Sequence, residues 1–425
     1  MGHGSLKGYL ERCRGEILVR CTACGACAAN CEIRPYTALK HADPATLVEA
    51  TRRFLEFGEY EQAVYDYAFQ CINCLECTIH CPERLEASVI PLLAKARLVG
   101  DGYDAPPLMR MAQPCQRYSY QTMLGALQTR PSDVWWLEEV PSDVEHHDIV
   151  LFLGCHELIF PSAMRATRDI LCGMGLDFVA VGGGKNLCCG AVHLNTADIE
   201  TAHEMCKNLV ESLERFRPRT VLFTCPTCVY VVRKALAKRP PEPSPTYQHL
   251  SNFLADRLDT ISFTARLNTQ FTIQDPCFTA RGLGDYDSPR KVLSAIAGVR
   301  LVEMKHNREN TLCCGASALG NPEVARAFIH NRLQEARNAG ADAVVNLCAG
   351  CQLAFFKYEK EFGLESRQFS EVVAQAMGLE TLPDQMKRFR DLGDPVRILE
   401  SARETIEAGP YSADEISLVL PVLFG

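Results

Sequence analysis

Between residues 43 and 67 the apolar positions recur at helical spacing. Asp43 can cap, Pro44 suits a first turn, and Leu47, Ala50, Phe54 and Phe57 fall on one stripe before Gly58 breaks it. A second stripe follows at Tyr60, Val64 and Tyr67, and "LEASVIPLLAKARLVG" from residue 85 predicts one more helix. "GDGYDAPPL" marks a boundary near residue 105. The connector, residues 106–147, carries no pattern that fixes an element; Trp135 and Trp136 within it are either a partner surface or buried packing.

From residue 148 the pattern changes to short apolar runs that end in cysteine. "DIVLFLGC" ends at Cys155 and "TVLFTCPTC" at Cys225 and Cys228; later "FTIQDPC" ends at Cys277 and "AVVNLCAGC" at Cys348 and Cys351. Helical stretches such as "IETAHEMCKNLVESL" lie between. The two halves are copies. Cys155, Cys188, Cys189, Cys225 and Cys228 recur as Cys277, Cys313, Cys314, Cys348 and Cys351 at offsets of 122 to 125 residues, which marks an internal duplication. "KRPPEPSP" at 238–245 separates the copies. Apolar runs alternating with helices, with cysteines at their carboxyl ends, predict an α/β pattern in which open sheets build their sites.

The expected fold is therefore α+β and multidomain: a helical domain over 1–105, the connector, α/β copies over 148–250 and 251–360, and a helical extension over 361–425. "DPVRILESARETIEAG" in that extension is either a docking helix for a partner or packs on the chain's own second copy.

Composition changes this picture little until the cysteines are counted. At 425 residues the chain exceeds what one core usually holds. Hydrophobic residues at 47% and charged residues at 23% are ordinary for a globular protein, and the net charge of −8 offers nothing to nucleic acid or an anionic membrane. The longest apolar stretches, "IVLFLG" and "SLVLPVLFG", are too short to span a bilayer, so work at a membrane would need an anchored partner. The N-terminus has scattered charges and no apolar signal core, which predicts a cytoplasmic protein.

The 22 cysteines are the departure. In a reducing compartment thiols at this number point to metal or redox chemistry rather than to structural disulfides. "CTACGACAANC" supplies Cys21, Cys24, Cys27 and Cys31, and "CINCLECTIHCP" supplies Cys71, Cys74, Cys77 and Cys81; both follow C-x2-C-x2-C-x3-C. Three thiolates at this spacing wrap one iron-sulfur cube, and the fourth usually serves the other cluster. That predicts one cubane 4Fe-4S cluster on Cys21, Cys24, Cys27 and Cys81, and a second on Cys71, Cys74, Cys77 and Cys31. Two zinc sites would usually draw on separate C-x2-C knuckles instead.

Each copy offers five thiolates, one more than a tetrahedral zinc or a simple cube uses. The adjacent pair suggests a cluster that is not a cube. A vicinal disulfide switch would account for Cys188 and Cys189 but not for their three companions. "GGGK" before the first pair lacks the spacing of a phosphate loop. Cys13, Cys115, Cys172 and Cys206 remain outside all four sets, Cys206 as a core residue of its helix.

The N-terminal region resembles the helical ferredoxin domain of succinate dehydrogenase and of heterodisulfide reductase iron-sulfur subunits. Residues 15 to about 360 together resemble a family defined by cysteine-rich CCG domains: the heterodisulfide reductase catalytic subunit and the iron-sulfur subunits of glycolate oxidase and anaerobic glycerol-3-phosphate dehydrogenase. The resemblance implies one or two noncubane 4Fe-4S clusters at which a disulfide or similar two-electron acceptor is reduced. It also implies that the ferredoxin-type clusters deliver the electrons. If a sulfur leaves as thiolate it needs a proton, and His193, His156, Lys185 and His306 lie beside or near the motifs as candidate donors. No flavin or nicotinamide motif is present in the sequence, so flavoprotein or other iron-sulfur electron-transfer subunits are the expected partners. The competing expectation is an electron-transfer subunit without its own substrate, linking a flavoprotein dehydrogenase to a quinone or a larger reductase complex.

Overall fold

The computed structural model describes residues 5–104, 119–129, 140–183, 187–238, 245–318 and 321–424. Trp135, Trp136, Cys115 and Lys185 lie outside these residues.

The N-terminal module is helical. Helices α1 (Leu6–Arg20), α3 (Pro44–Phe57), α4 (Gln62–Gln70) and α6 (Val89–Gly100) pack together, with the one-turn helices α2 (Ala26–Ala29) and α5 (Glu76–Ile79) inside the cysteine runs. Helix α3 starts where Asp43 accepts the Thr46 N–H at 2.9 Å, and it stops where Gly58 turns left-handed at φ 80°. Its buried stripe is Leu47, Val48, Ala50, Thr51, Phe54 and Leu55. Phe57, expected on that stripe, is 63% exposed, because the helix leaves the core in its last turn. Tyr60 precedes α4 and stacks on Tyr103 at 4.6 Å, while Val64 and Tyr67 are buried as the spacing predicts.

The two copies form two four-stranded, all-parallel sheets. Strands β1 (Ile149–Leu153), β2 (Phe178–Gly182), β3 (Thr220–Phe223) and β4 (Thr246–His249) lie in the order β2-β1-β3-β4. Strands β5 (Thr269–Gln274), β6 (Val299–Leu301), β7 (Ala343–Asn346) and β8 (Glu365–Gln368) repeat it as β6-β5-β7-β8. Both faces of β1, β3 and β7 are buried, as continuous apolar runs such as IVLFL require in a sheet covered by helices. Because all strands run the same way, every carboxyl end opens on one edge. Each cysteine set leaves from that edge.

One core joins the sheets: Leu151, Leu153 and Leu222 of the first share a cluster with Phe271, Ile273 and Val345 of the second. The helical extension expected from residue 361 differs in its first part. Residues 365–368 pair with β7 as the edge strand β8, and Phe369–Ala376 packs on the helix Pro161–Gly173 of the first copy. The remaining helices to residue 424 turn Met386, Phe389, Ile398, Ile406, Ile416 and Leu420 onto Leu124, Phe160, Ala349 and Phe356 of the same chain. Among the described residues no helix is long and apolar enough to cross a membrane.

Candidate iron-sulfur sites

Each ferredoxin-type run begins where a helix ends. Helix α1 stops at Arg20 and α4 at Gln70, one residue before Cys21 and Cys71. The chain then takes the same left-handed steps twice, at Ala23 and Gly25 in one run and at Asn73 and Leu75 in the other. Such steps are strained for residues with a Cβ, and they curl the loop around its thiols. The Asn73 N–H donates to Cys71 Sγ at 3.4 Å. Gly25 is obligatory in its run, since a Cβ there would lie 2.5 Å from the Ala45 nitrogen at the start of α3.

The thiols sort into two groups across the runs. Cys21, Cys24 and Cys27 line one cavity with Cys81 of the other run, closed by Val48, Pro82, Leu85 and Ile90. Cys31 instead packs on the cluster that holds Ile72 and Cys74 of the other run; burial first and then the nearby Cys71 push its thiol up to about 11. Burial, followed by Cys71, Cys74 and Cys31, raises Cys77 well above the usual thiol range.

In the first copy Cys155 follows β1, Cys188 and Cys189 follow β2, and Cys225 and Cys228 follow β3; all five are buried. In the second, Cys277, Cys313, Cys314, Cys348 and Cys351 leave the matching strand ends, with Cys277 and Cys348 less covered. The Gly190 N–H donates to Cys188 Sγ and the Gly315 N–H to Cys313 Sγ, each at 3.4 Å. Both glycines are left-handed. The thiols crowd one another: contact with Cys188, then burial, drives Cys155 far up, and contacts with Cys189 and Cys225, then burial, do the same to Cys228. In the second copy Cys314 becomes acidic because Cys313 and Cys351 donate to it, at the cost of those two. Five crowded, mostly buried thiols that cannot all ionise beside each other fit a cationic metal centre, which deprotonates its ligands and removes the repulsion. Among the described residues none of these cysteines is disulfide-bonded.

The candidate proton donors separate clearly. His156 is half-buried with Nδ1 3.7 Å from Cys155 Sγ and Nε2 2.6 Å from the Tyr120 hydroxyl, and desolvation lowers its pKa. His193 is 5% exposed on the helix Ala191–Asn195 that leaves the first cysteine pair. Its Nδ1 lies 3.5 Å from an Asp198 carboxylate oxygen, and neither ring nitrogen makes a hydrogen bond. His306 is not brought to the thiols in this way; its Nδ1 is held by Glu335 at 2.5 Å beside the buried Arg332.

Three site residues escaped sequence reasoning. Tyr120 comes from the patternless connector. Glu157, two residues after Cys155, is fully buried, and burial followed by the proximity of Cys225 holds its carboxyl well above the usual range. Arg281, four residues after Cys277, has a side chain with no exposure at all.

A family model of the cysteine-rich CCG domain matches residues 149–233 and 271–356, and a model of a 4Fe-4S dicluster domain matches residues 17–85. The chain is 32% identical over 260 residues to one chain of the dihydromethanophenazine:CoB–CoM heterodisulfide reductase of Methanosarcina barkeri, covering 57% of this chain and 63% of that one. It is 30% identical to one chain of the fumarate reductase (CoM/CoB) of Methanothermobacter marburgensis, covering 48% and 41%. It is 24% identical to the EtfAB:quinone oxidoreductase of Syntrophomonas wolfei, covering 70% and 47%. The chain thus spans less than two thirds of the length of each of these relatives.

Proposed function

We propose that this chain, which carries a 4Fe-4S dicluster domain and two cysteine-rich CCG domains, is an iron-sulfur oxidoreductase subunit of the heterodisulfide reductase type. Cys21, Cys24, Cys27 and Cys81 would hold one cubane cluster, and Cys71, Cys74, Cys77 and Cys31 the other. The five-cysteine sets would hold one or two noncubane clusters. Bound clusters would supply one-electron redox chemistry to a disulfide or a similar two-electron acceptor. The observation that carries this reading is that both five-thiol sets are complete, largely buried, and beside the helical module. Asn73 Nδ2 donates to Asn195 Oδ1 of the first copy at 3.0 Å, and Glu32 accepts the Cys313 N–H of the second at 2.8 Å. Flavoprotein or iron-sulfur partners would supply the electrons.

Iron and zinc analysis with EPR on anaerobically purified protein tests the reading. About sixteen irons, four per cluster, are expected, with a signal that appears only when oxidised protein meets a thiol. About eight irons and no thiol-dependent signal would leave an electron-transfer subunit without a substrate of its own. That second reading draws on the quinone oxidoreductase relative, whose match covers 70% of this chain.

The first copy would host the proton-dependent step. At the positions matching His156 and His193 the second copy has Phe278 and Ala318. The His193→Ala change should lower turnover with a disulfide acceptor about 100-fold, the ordinary contribution of a general acid. Unchanged turnover would remove His193 from the mechanism.

A further inference from the structure

Arg281 is a buried cation whose polar partners among the described residues all lie close to candidate cluster-binding cysteines. Its Nη1 donates to the Cys74 carbonyl at 2.8 Å, and Nη2 donates to Glu32 Oε1 at 2.8 Å and also meets Glu76 and the Thr311 carbonyl. Its Nε donates to the Glu309 carbonyl at 3.0 Å. The other Glu32 oxygen accepts the Cys313 N–H at 2.8 Å. Glu32 follows Cys31, Glu76 precedes Cys77, and Thr311 and Glu309 lead into Cys313. One guanidinium therefore ties the loop of the second ferredoxin-type site to the cysteine-pair loop of the second copy. The apolar wall between them consists of Ile33, Ile72, Cys74, Cys313, Val324 and Phe328.

The first copy has no arginine at the matching position. The residue four places after Cys155 is Ile159, fully buried in an apolar cluster. Beside its cysteine pair the first copy meets the helical module through Asn73 and through Lys95, whose ammonium donates to the Asn195 carbonyl at 2.9 Å, and farther from the thiols through the ion pairs Lys234–Glu86 and Lys7–Glu200. The duplication has diverged here in charge as well as in shape.

We propose that Arg281 is a positioning residue shared by two cluster sites, Cys31/Cys71/Cys74/Cys77 and Cys277/Cys313/Cys314/Cys348/Cys351, and that its fixed charge sets their reduction potentials together. A guanidinium stays protonated in any protein setting and forms several directed bonds at once, which lysine cannot do. In a dry setting its field acts over a longer reach than in water, so it favours the more negative, reduced state at both sites. Glu32 works against it: its carboxylate lies on the same bridge with the opposite sign. The inference rests on the proposed cluster assignment.

Wild type, Arg281→Gln, Arg281→Lys and Glu32→Gln, prepared anaerobically, should be compared by iron content and by EPR-monitored redox titration. The Arg281→Gln change should move the potentials of both bridged sites downward and leave the Cys21/Cys24/Cys27/Cys81 site where it is. Arg281→Lys keeps the charge and should restore most of the shift, whereas Glu32→Gln should move both potentials upward. Opposite signs from two partners in one hydrogen bond are not what a purely structural role produces. Should Arg281→Gln fail to fold, Glu32→Gln decides: an upward shift at both sites supports the proposal, and no shift or a downward one overturns it. Full iron with unmoved potentials in the variants sinks this inference alone. Wild-type protein without iron at these sites sinks the functional reading, and this inference with it.

Discussion

Replacing Cys31 by Ala is expected to remove about four of about sixteen irons, and to remove them from the site of Cys71, Cys74 and Cys77 rather than from that of its own run. Cys31 stands one short turn beyond Cys27, so sequence proximity alone would put its loss there. The structure turns it away. The Asn30 cap ends α2, and Cys31 then packs beside Ile72 and Cys74, while Cys81 closes the cavity of Cys21, Cys24 and Cys27. Cys81→Ala should give the mirror result. Each variant would lose one reduced-state EPR signal, and the two lost signals should differ. If Cys31→Ala instead abolishes the signal lost in Cys24→Ala, the exchange of fourth ligands between the runs is wrong.

The cysteine runs were legible in the sequence because they are confined to short windows, where spacing survives any rearrangement of the rest. The duplication was legible for the same reason: the offsets of its cysteines hold within three residues, and the strand orders of the two sheets then agree. Edge and end effects were not. β8 is only Glu365–Gln368, a polar four-residue strand whose partner β7 supplies the apolar run, so no alternation marks it. Phe57 fits the stripe of α3 by spacing, but whether a last turn still faces a core is decided by what packs there.

Arg281 shows why the buried charges were invisible. An arginine after a CxxxR run is ordinarily solvated, and this one is buried because Cys74, Glu32 and Glu76, all more than 200 residues away, satisfy it. Long-range satisfaction of a charge leaves no local trace in a sequence. The pairing of Tyr120 with His156 is hidden in the same way, since the tyrosine comes from a connector with no periodicity. What the aligned copies did contain is their asymmetry: His156 against Phe278, His193 against Ala318, Ile159 against Arg281. The first copy sets histidines beside its cysteines, and the second sets the buried Arg281 beside its cysteine-pair loop. Two clusters on identical ligand sets would then differ through their surroundings.

The second large effect is expected at Gly190. Its φ is +80°, and a Cβ there would stand 2.3 Å from the Ala202 carbonyl oxygen and 2.8 Å from the Ala202 Cα, both backbone atoms of the helix Ile199–Glu214. Neither can move without shifting that helix. A left-handed residue with a Cβ costs roughly 1–2 kcal/mol before any clash, and the overlap adds to it, so Gly190→Ala should lose more than ~3 kcal/mol. The same turn aims the Gly190 N–H at Cys188 Sγ. Iron should therefore fall to about twelve per chain as the first copy fails to hold its cluster. Gly175 is the control: its φ is +67° and an added Cβ would meet nothing within 4 Å, so Gly175→Ala should cost only the backbone term and keep full iron. Gly315→Ala should fall between, because its nearest contacts, the Ala325 carbonyl at 2.8 Å and Ile329 Cγ1 at 3.0 Å, include a side chain that can give way. Thermal denaturation and iron content of the three variants should follow that order. Equal losses in Gly190→Ala and Gly175→Ala would mean that backbone conformation alone, and not the close approach of the helix, makes glycine necessary after the cysteine pair.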